Sequence, residues 1–332
     1  MRWTGRRLRG LGALLTAMPA LRTPPLKAVS LPLLPALSLL AVVPALAQLA
    51  EPNAAGVAMG HLHFEVKDAA AERDFWVRLG GRIVASADGV AVAMPGVLIV
   101  IGETTSEQES EGASEEEGER ESVAEAEATG QVQPQSPATI IDHVAFRVAS
   151  LAAIAERGLE LVPVAGYPGI ASVHAPSGAR VELFEEGTAT NVGFTPAVPD
   201  ALAERHNRPL AGAIDSHHLH FYLPEDRVTA ARDWYAHQFG AVPGLRWRYD
   251  AADLPGMNLN FSAAAADLDS GSSSLLPHIS FEVRDLEAFC RLLASRGIEF
   301  DQPFRRVGPA YAFATLTDPW GTTIELTEGL VP

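Results

Sequence analysis

The chain has 332 residues, a hydrophobic fraction of 47% and a formal net charge of −16. That length allows two compact domains with ordinary cores. The acidity argues against nucleic acid as a partner, because phosphate binding needs a basic face. A single cysteine excludes an internal disulfide.

Residues 1–47 carry six basic groups and no acid. Arg2, Arg6, Arg7 and Arg9 precede an apolar stretch that ends in Ala45-Leu46-Ala47, the small-x-small pattern of signal cleavage. This predicts a signal peptide over 1–47, a mature start near Gln48 and a periplasmic or secreted product. The alternative is a membrane anchor, weakened by prolines 32, 35 and 44. A twin-arginine leader fits the following residues poorly. After cleavage no membrane association is expected.

From residue 57 the chain repeats itself. Four short strands open on histidine with phenylalanine three residues later: HLHFEV (61–66), HVAFRV (143–148), HLHFYL (218–223) and HISFEV (278–283). Each is followed by an apolar helical stripe that closes on glycine. Two or three short strands come next, as in RIVASA, VAVAMP and VLIVIG. The unit is β-α-β-β-β, present four times. The expected class is α+β, with two cupped mixed-sheet domains built from four βαβββ modules.

Residues 103–127 hold eleven glutamates and one arginine. A disordered acidic loop is expected over 103–137, because so little apolar surface cannot offset the entropy of ordering. Residues 188–212 read as a linker, and 262–274 as a smaller one. The expected domains are 58–187, holding modules 1 and 2, and 213–330, holding modules 3 and 4. Cys290 follows helical apolar spacing and reads as a structural thiol. Trp234, Tyr235 and Phe239 read as a buried helix stripe.

Two last strands carry an acid among apolar residues, Glu182 in PSGARVEL and Glu325 in DPWGTTIEL. Burying such an acid is costly unless something pairs with it. By strand alternation the phenylalanines face a core, while His61, His143, His218, His278 and both glutamates face away from it. Strand-borne His and Glu together suggest a metal site, made twice. His63 and His220 share the histidine face and read as acid–base groups, substrate contacts or support for a ligand. His217 points to the core or a strand edge. Tyr311 and Phe313 read as a pocket wall or as core.

The strand-head histidines and the late D/A-P-x-G-x-x-[IV]-E-L pattern resemble the vicinal oxygen chelate superfamily. That group includes glyoxalase I, extradiol dioxygenases, fosfomycin and bleomycin resistance proteins and methylmalonyl-CoA epimerase. The resemblance covers about residues 58–330 apart from the acidic loop. It implies paired modules, each pair cupped around a divalent metal that chelates a small oxygenated substrate. It places the ligands at the first-strand histidines and last-strand glutamates. With modules paired in chain order, the sets are His61, His143 and Glu182, and His218, His278 and Glu325. If one set works, the resemblance favours the second. Two histidines and one carboxylate suit Fe(II), and Zn, Mn, Ni or Co also fit.

Val100 and Asn260 stand where the other two modules would place an acid. This argues against a glyoxalase I site, which draws a ligand pair from each module. Thr315 and Ser172 stand where ring-cleaving enzymes carry a tyrosine, and Asn260 where they carry a histidine. The expected function is a metal-dependent, dioxygenase-like enzyme acting on a small molecule, with His220 and His63 as the groups nearest the chemistry. The alternatives are a glyoxalase-like lyase or isomerase, and a non-enzymatic small-molecule binder. A homodimer is compatible with all three.

Overall fold

The phenylalanine that follows each strand-head histidine anchors the fold. Phe64, Phe146, Phe221 and Phe281 are all buried, and they share one hydrophobic core with the helices. In this computed structural model the described residues are 49–86, 89–104, 140–187, 209–264 and 276–330. The expected signal peptide 1–47, the acidic segment beyond Thr104, and most of 188–212 and 262–274 lie outside them. Among the described residues, no helix is long and apolar enough to cross a membrane.

The four modules form as the repeat predicts. Module 1 is β1 (Val57–Val66), α1 (Ala69–Leu79), β2 (Arg82–Ser86), β3 (Gly89–Met94) and β4 (Val97–Glu103). Module 2 is β5 (Ile140–Val148), α2 (Leu151–Ala155), β6 (Val162–Pro163), β7 (Ile170–His174) and β8 (Arg180–Glu185). Module 3 is β9 (Ile214–Leu223), α3 (Val228–Phe239), β10 (Val242–Arg246), β11 (Tyr249–Leu254) and β12 (Met257–Ala263). Module 4 is β13 (His278–Val283), α4 (Leu286–Ser295), β14 (Gln302–Val307), β15 (Tyr311–Thr317) and β16 (Thr323–Glu328). Helices start where a side chain can satisfy the first free N–H groups: Asp68, Ser150 and Asp285 each accept from the amide three residues on.

The pairing of the modules differs from the expected one. One eight-stranded sheet runs β14-β15-β16-β13-β1-β4-β3-β2, joining modules 4 and 1. The other runs β10-β11-β12-β9-β5-β8-β7-β6, joining modules 3 and 2. In each sheet the two first strands lie antiparallel at the centre, and each is parallel to its own module's last strand. The chain-order domains 58–187 and 213–330 are therefore not the units that share a sheet. All four modules offer the same kind of first-strand edge, so their sequence pattern does not say which edge finds which.

Consecutive modules do meet, but through their helices and turns. Arg157 donates to the carbonyl of Leu79 at the end of α1, and Arg296 donates to the carbonyl of His237 at the end of α3. Glu72 of α1 is fully buried and accepts from Trp76 Nε1 and from the amide of Ser177, in the glycine turn of module 2. Tyr235 of α3 donates 2.8 Å to Asp318, whose carboxylate also takes the amides of Trp320 and Thr322 in the glycine turn of module 4. Tyr235 and Phe239 are buried, and Trp234 packs partly buried beside them. Cys290 is buried too, and burial pushes its thiol up to about 11, which suits a structural group.

Candidate metal centres

Three bulges set the faces of the central strands. On β1 the pairing jumps from Met59↔Phe281 to Leu62↔Ile279, so Gly60 and His61 oppose one residue, Ser280. On β5 Asp142 is extra, between Ile141↔Phe221 and His143↔His220. On β9 His217 is extra, between Ala145↔His218 and Phe146↔Ser216. A bulge re-aims side chains that simple alternation would send to the other face.

In the sheet of modules 1 and 4, His61 of β1, His278 of β13 and Glu325 of β16 converge. His61 Nε2 lies 3.1 Å from His278 Nε2 and 3.2 Å from Glu325 Oε2, and His278 Nε2 lies 3.4 Å from the same oxygen. Metal–ligand bonds of about 2.1 Å give ligand spacings of about 3.0 Å in an octahedron and about 3.4 Å in a tetrahedron. The triad has the spacing of ligands around one ion. Burial pulls the Glu325 carboxyl up, but bonds from His278 and His61 prevail and hold it down at about 2. It is ionised at neutral pH, as a ligand must be. His61 is fully buried and its Nδ1 has no hydrogen-bond partner.

In the sheet of modules 2 and 3, His143 of β5, His218 of β9 and Glu182 of β8 form the second cluster. His143 Nε2 lies 3.1 Å from His218 Nε2 and 3.3 Å from Glu182 Oε2. Here both histidines of the cluster are held from behind. Asp142 Oδ2 lies 2.6 Å from His143 Nδ1, and Arg180 also bonds Asp142. Burial raises the Asp142 carboxyl, but the bond to His143 and the Arg180 charge bring it to about 2. His217 Nδ1 lies 2.6 Å from His218 Nδ1, and its ring stacks on Phe184. Burial first, then the His217 charge, pushes His218 well below its ordinary value, so it is neutral at pH 7.

The predicted ligands thus come together, but in a different sorting. His61, His143 and Glu182 do not share a site, nor do His218, His278 and Glu325. Each sheet still supplies two histidines and one glutamate, because each sheet contains one module that keeps the acid. His63 and His220 lie beside the triads. Among the described residues His61, His63 and His278 offer ligand atoms within 4.8 Å of one another, and so do His143, His218 and His220. Both clusters can hold a divalent metal ion.

Sequence reasoning missed Asp142 and Arg180, and put His217 on the wrong face. The signal was the residue just before the strand-head histidine, which strict alternation assigned to the core. Two further charged residues of the first strands have structural partners. Arg147 is buried near Glu186, and Glu282 takes the hydroxyl of Thr327 and the amide of Gly329. Tyr311 stacks on Phe313 and its hydroxyl is 3.5 Å from Glu325.

The two cups differ in access. In the first sheet Ala91, Ala93, Leu98 and Val100 form an apolar patch on the histidine face, packed with Leu49, Leu330 and Tyr311. Over the second cluster lies a cleft of about 190 Å³. Its walls are aromatic and cationic: Tyr167, Tyr222, Trp247 and Tyr249 with Arg180 and Arg248. The Arg248 guanidinium sits 4.1 Å over the Trp247 ring. Trp247 has a positive φ of 55°, rare and strained for an aromatic residue.

Residues 217–326 match the family model of the Glyoxalase/Bleomycin resistance protein/Dioxygenase superfamily. That segment, about a third of the chain, carries a domain of the vicinal oxygen chelate kind. Glyoxalase I from Zea mays is similar in structure, with a TM-score of 0.50 at 14% identity, covering 82% of this chain and 92% of that one. A glyoxalase/bleomycin resistance protein/dioxygenase from Alicyclobacillus acidocaldarius covers 33% of this chain and 89% of its own at 22% identity, with a TM-score of 0.26. At the maize enzyme's identity the likeness is one of fold. No curated protein matches the sequence.

Proposed function

We propose that this protein is a metal-dependent, dioxygenase-like enzyme, with Fe(II) as the favoured metal and the cup of modules 2 and 3 as its active centre. The carrying observation is that two imidazoles and one carboxylate converge at 3.1–3.3 Å beneath a cleft. A bound Fe(II) would act as a Lewis acid for two neighbouring oxygens of a substrate and as a docking point for O₂. His143, His218 and Glu182 would hold it, while Asp142 and His217 fix the two rings. Tyr167, Trp247 and Tyr249 offer flat faces for a planar substrate. Arg248 and Arg180 favour an anionic group on it. The cup of modules 1 and 4, filled on one side by Leu49 and Leu330, reads as a structural metal site.

Metal analysis of protein purified without added metal tests this reading. The expected result is iron approaching two equivalents per chain, with oxygen uptake on planar acids bearing adjacent hydroxyls. His218→Ala should abolish the uptake and His278→Ala should spare part of it. Zinc or nickel with no oxygen chemistry would replace it with a lyase or isomerase. Absence of metal, with ligand affinity unchanged in His218→Ala, would leave only a binding protein.

A further inference from the structure

The missing acids and the extra histidines occupy the same places. In module 4 the last-strand Glu325 pairs in register with Ser280 of the first strand, and in module 2 Glu182 pairs with Ala145. In module 1 the corresponding pair is Val100 and His63, and in module 3 it is Asn260 and His220. Where the last strand brings a glutamate, its first-strand neighbour is small. Where the glutamate is absent, the neighbour is a histidine on the same face. Residues two apart on a strand are about 6.6 Å apart and point the same way. An imidazole there can therefore reach the ion held by the histidine before it.

We propose that His63 and His220 are metal ligands, each filling the coordination position left by Val100 and Asn260, so that each centre is three histidines and one glutamate. The inference rests on the reading of the two triads as metal sites. In His63 the Nε2 lies 2.8 Å from the Glu65 carboxylate. That bond fixes the proton on Nε2 and leaves the Nδ1 lone pair for a metal, the usual support behind a ligand histidine. His220 Nε2 lies 2.6 Å from Ser262 Oγ, which can play the same part. The Asn260 Oδ1 beside it is buried without a hydrogen-bond partner, so Asn260 does not hold His220 away from the centre. Both clusters already bring the third imidazole within 4.8 Å of the other two. The arrangement occurs in both sheets, built from different modules, so each is a control for the other. An octahedral ion held by these four ligands would keep two of its six positions open to a substrate.

The test counts ligands rather than turnover. The full chain, stripped of metal, is titrated with Co²⁺, and X-ray absorption reads the imidazoles per ion. The wild type should bind two Co²⁺ with three imidazoles each. The double variant His63→Ala/His220→Ala should show two, and its Kd should weaken at least about tenfold. The double variant His63→Gln/His220→Gln fills the same space and should give the same count if the alanines impair folding. Adding Val100→Glu to His63→Ala should restore a fourth ligand and the affinity at that centre. Two imidazoles in the wild type, or an unchanged count in the variants, would overturn the proposal and leave His63 and His220 as acid–base groups. Wild-type protein that takes up no Co²⁺ at all would instead refute the triads themselves.

Discussion

Asp142 and His217 each sit one residue before a histidine of the proposed metal centre, and each bonds that histidine's Nδ1 at 2.6 Å. In the other sheet the same positions hold Gly60 and Pro277, which have no side chain able to do so. His61 Nδ1 is accordingly orphaned. A ligand ring held from behind keeps its tautomer and angle, and losing such support costs about 10–100-fold in metal affinity. Asp142→Ala should therefore weaken the centre of modules 2 and 3 by that amount. Placing it in a His278→Ala background silences the other centre, so a Co²⁺ titration reads one site. An unchanged Kd would mean that Asp142 merely neutralises Arg180. Asp142 was hidden in the sequence because alternation is counted along an unbroken strand, and the bulge breaks the count at that residue.

At the scale of elements, each module was legible and their pairing was not. The His-x-x-Phe strand, the helix stripe closing on glycine, and the last-strand acid each arise from local chemistry, so four copies of one sequence pattern gave four modules. The choice of edge depends on long-range packing that the pattern repeats without distinction. Gly60 shows how specific the resulting contact is. A Cβ there would lie 2.8 Å from Ser280 Oγ and 3.0 Å from the amide of Glu282, inside the β1–β13 bulge. Gly60→Ala should push the two strands apart and cost about 1–3 kcal/mol, the usual penalty of overpacking. It should also lower Co²⁺ occupancy at His61 and His278 while sparing His143 and His218. A urea midpoint that does not move would show that β1 and β13 are less tightly joined than this register implies. The same experiment tests the pairing of module 1 with module 4, because Gly60 touches nothing in module 2 at this distance.

Across the whole molecule the same groups tie stability to pH. Burial lowers His63, His218 and His220 below the ordinary value of 6.5. Such histidines take up protons more readily in the unfolded chain, so the folded state loses ground as pH falls below about 6.5. Glu325 and Asp142, held at about 2, remain ionised in the folded state while their unfolded counterparts protonate near 4.5 and 3.8. Their contribution is present above those values and is lost as pH falls toward 2. Glu282 and Asp318, raised by burial, run the other way and offset part of the second loss. The metal-free chain should thus show a flat urea midpoint above pH 7, a decline beginning near 6.5 and a further decline below about 4.5. Bound metal adds stability to the folded state alone, and protons compete with it for the imidazoles. The metal-loaded chain should start higher and fall more steeply over the first step, converging on the metal-free curve as the histidines protonate. Parallel curves for the two forms between pH 8 and 5 would mean that the ion does not depend on these histidines.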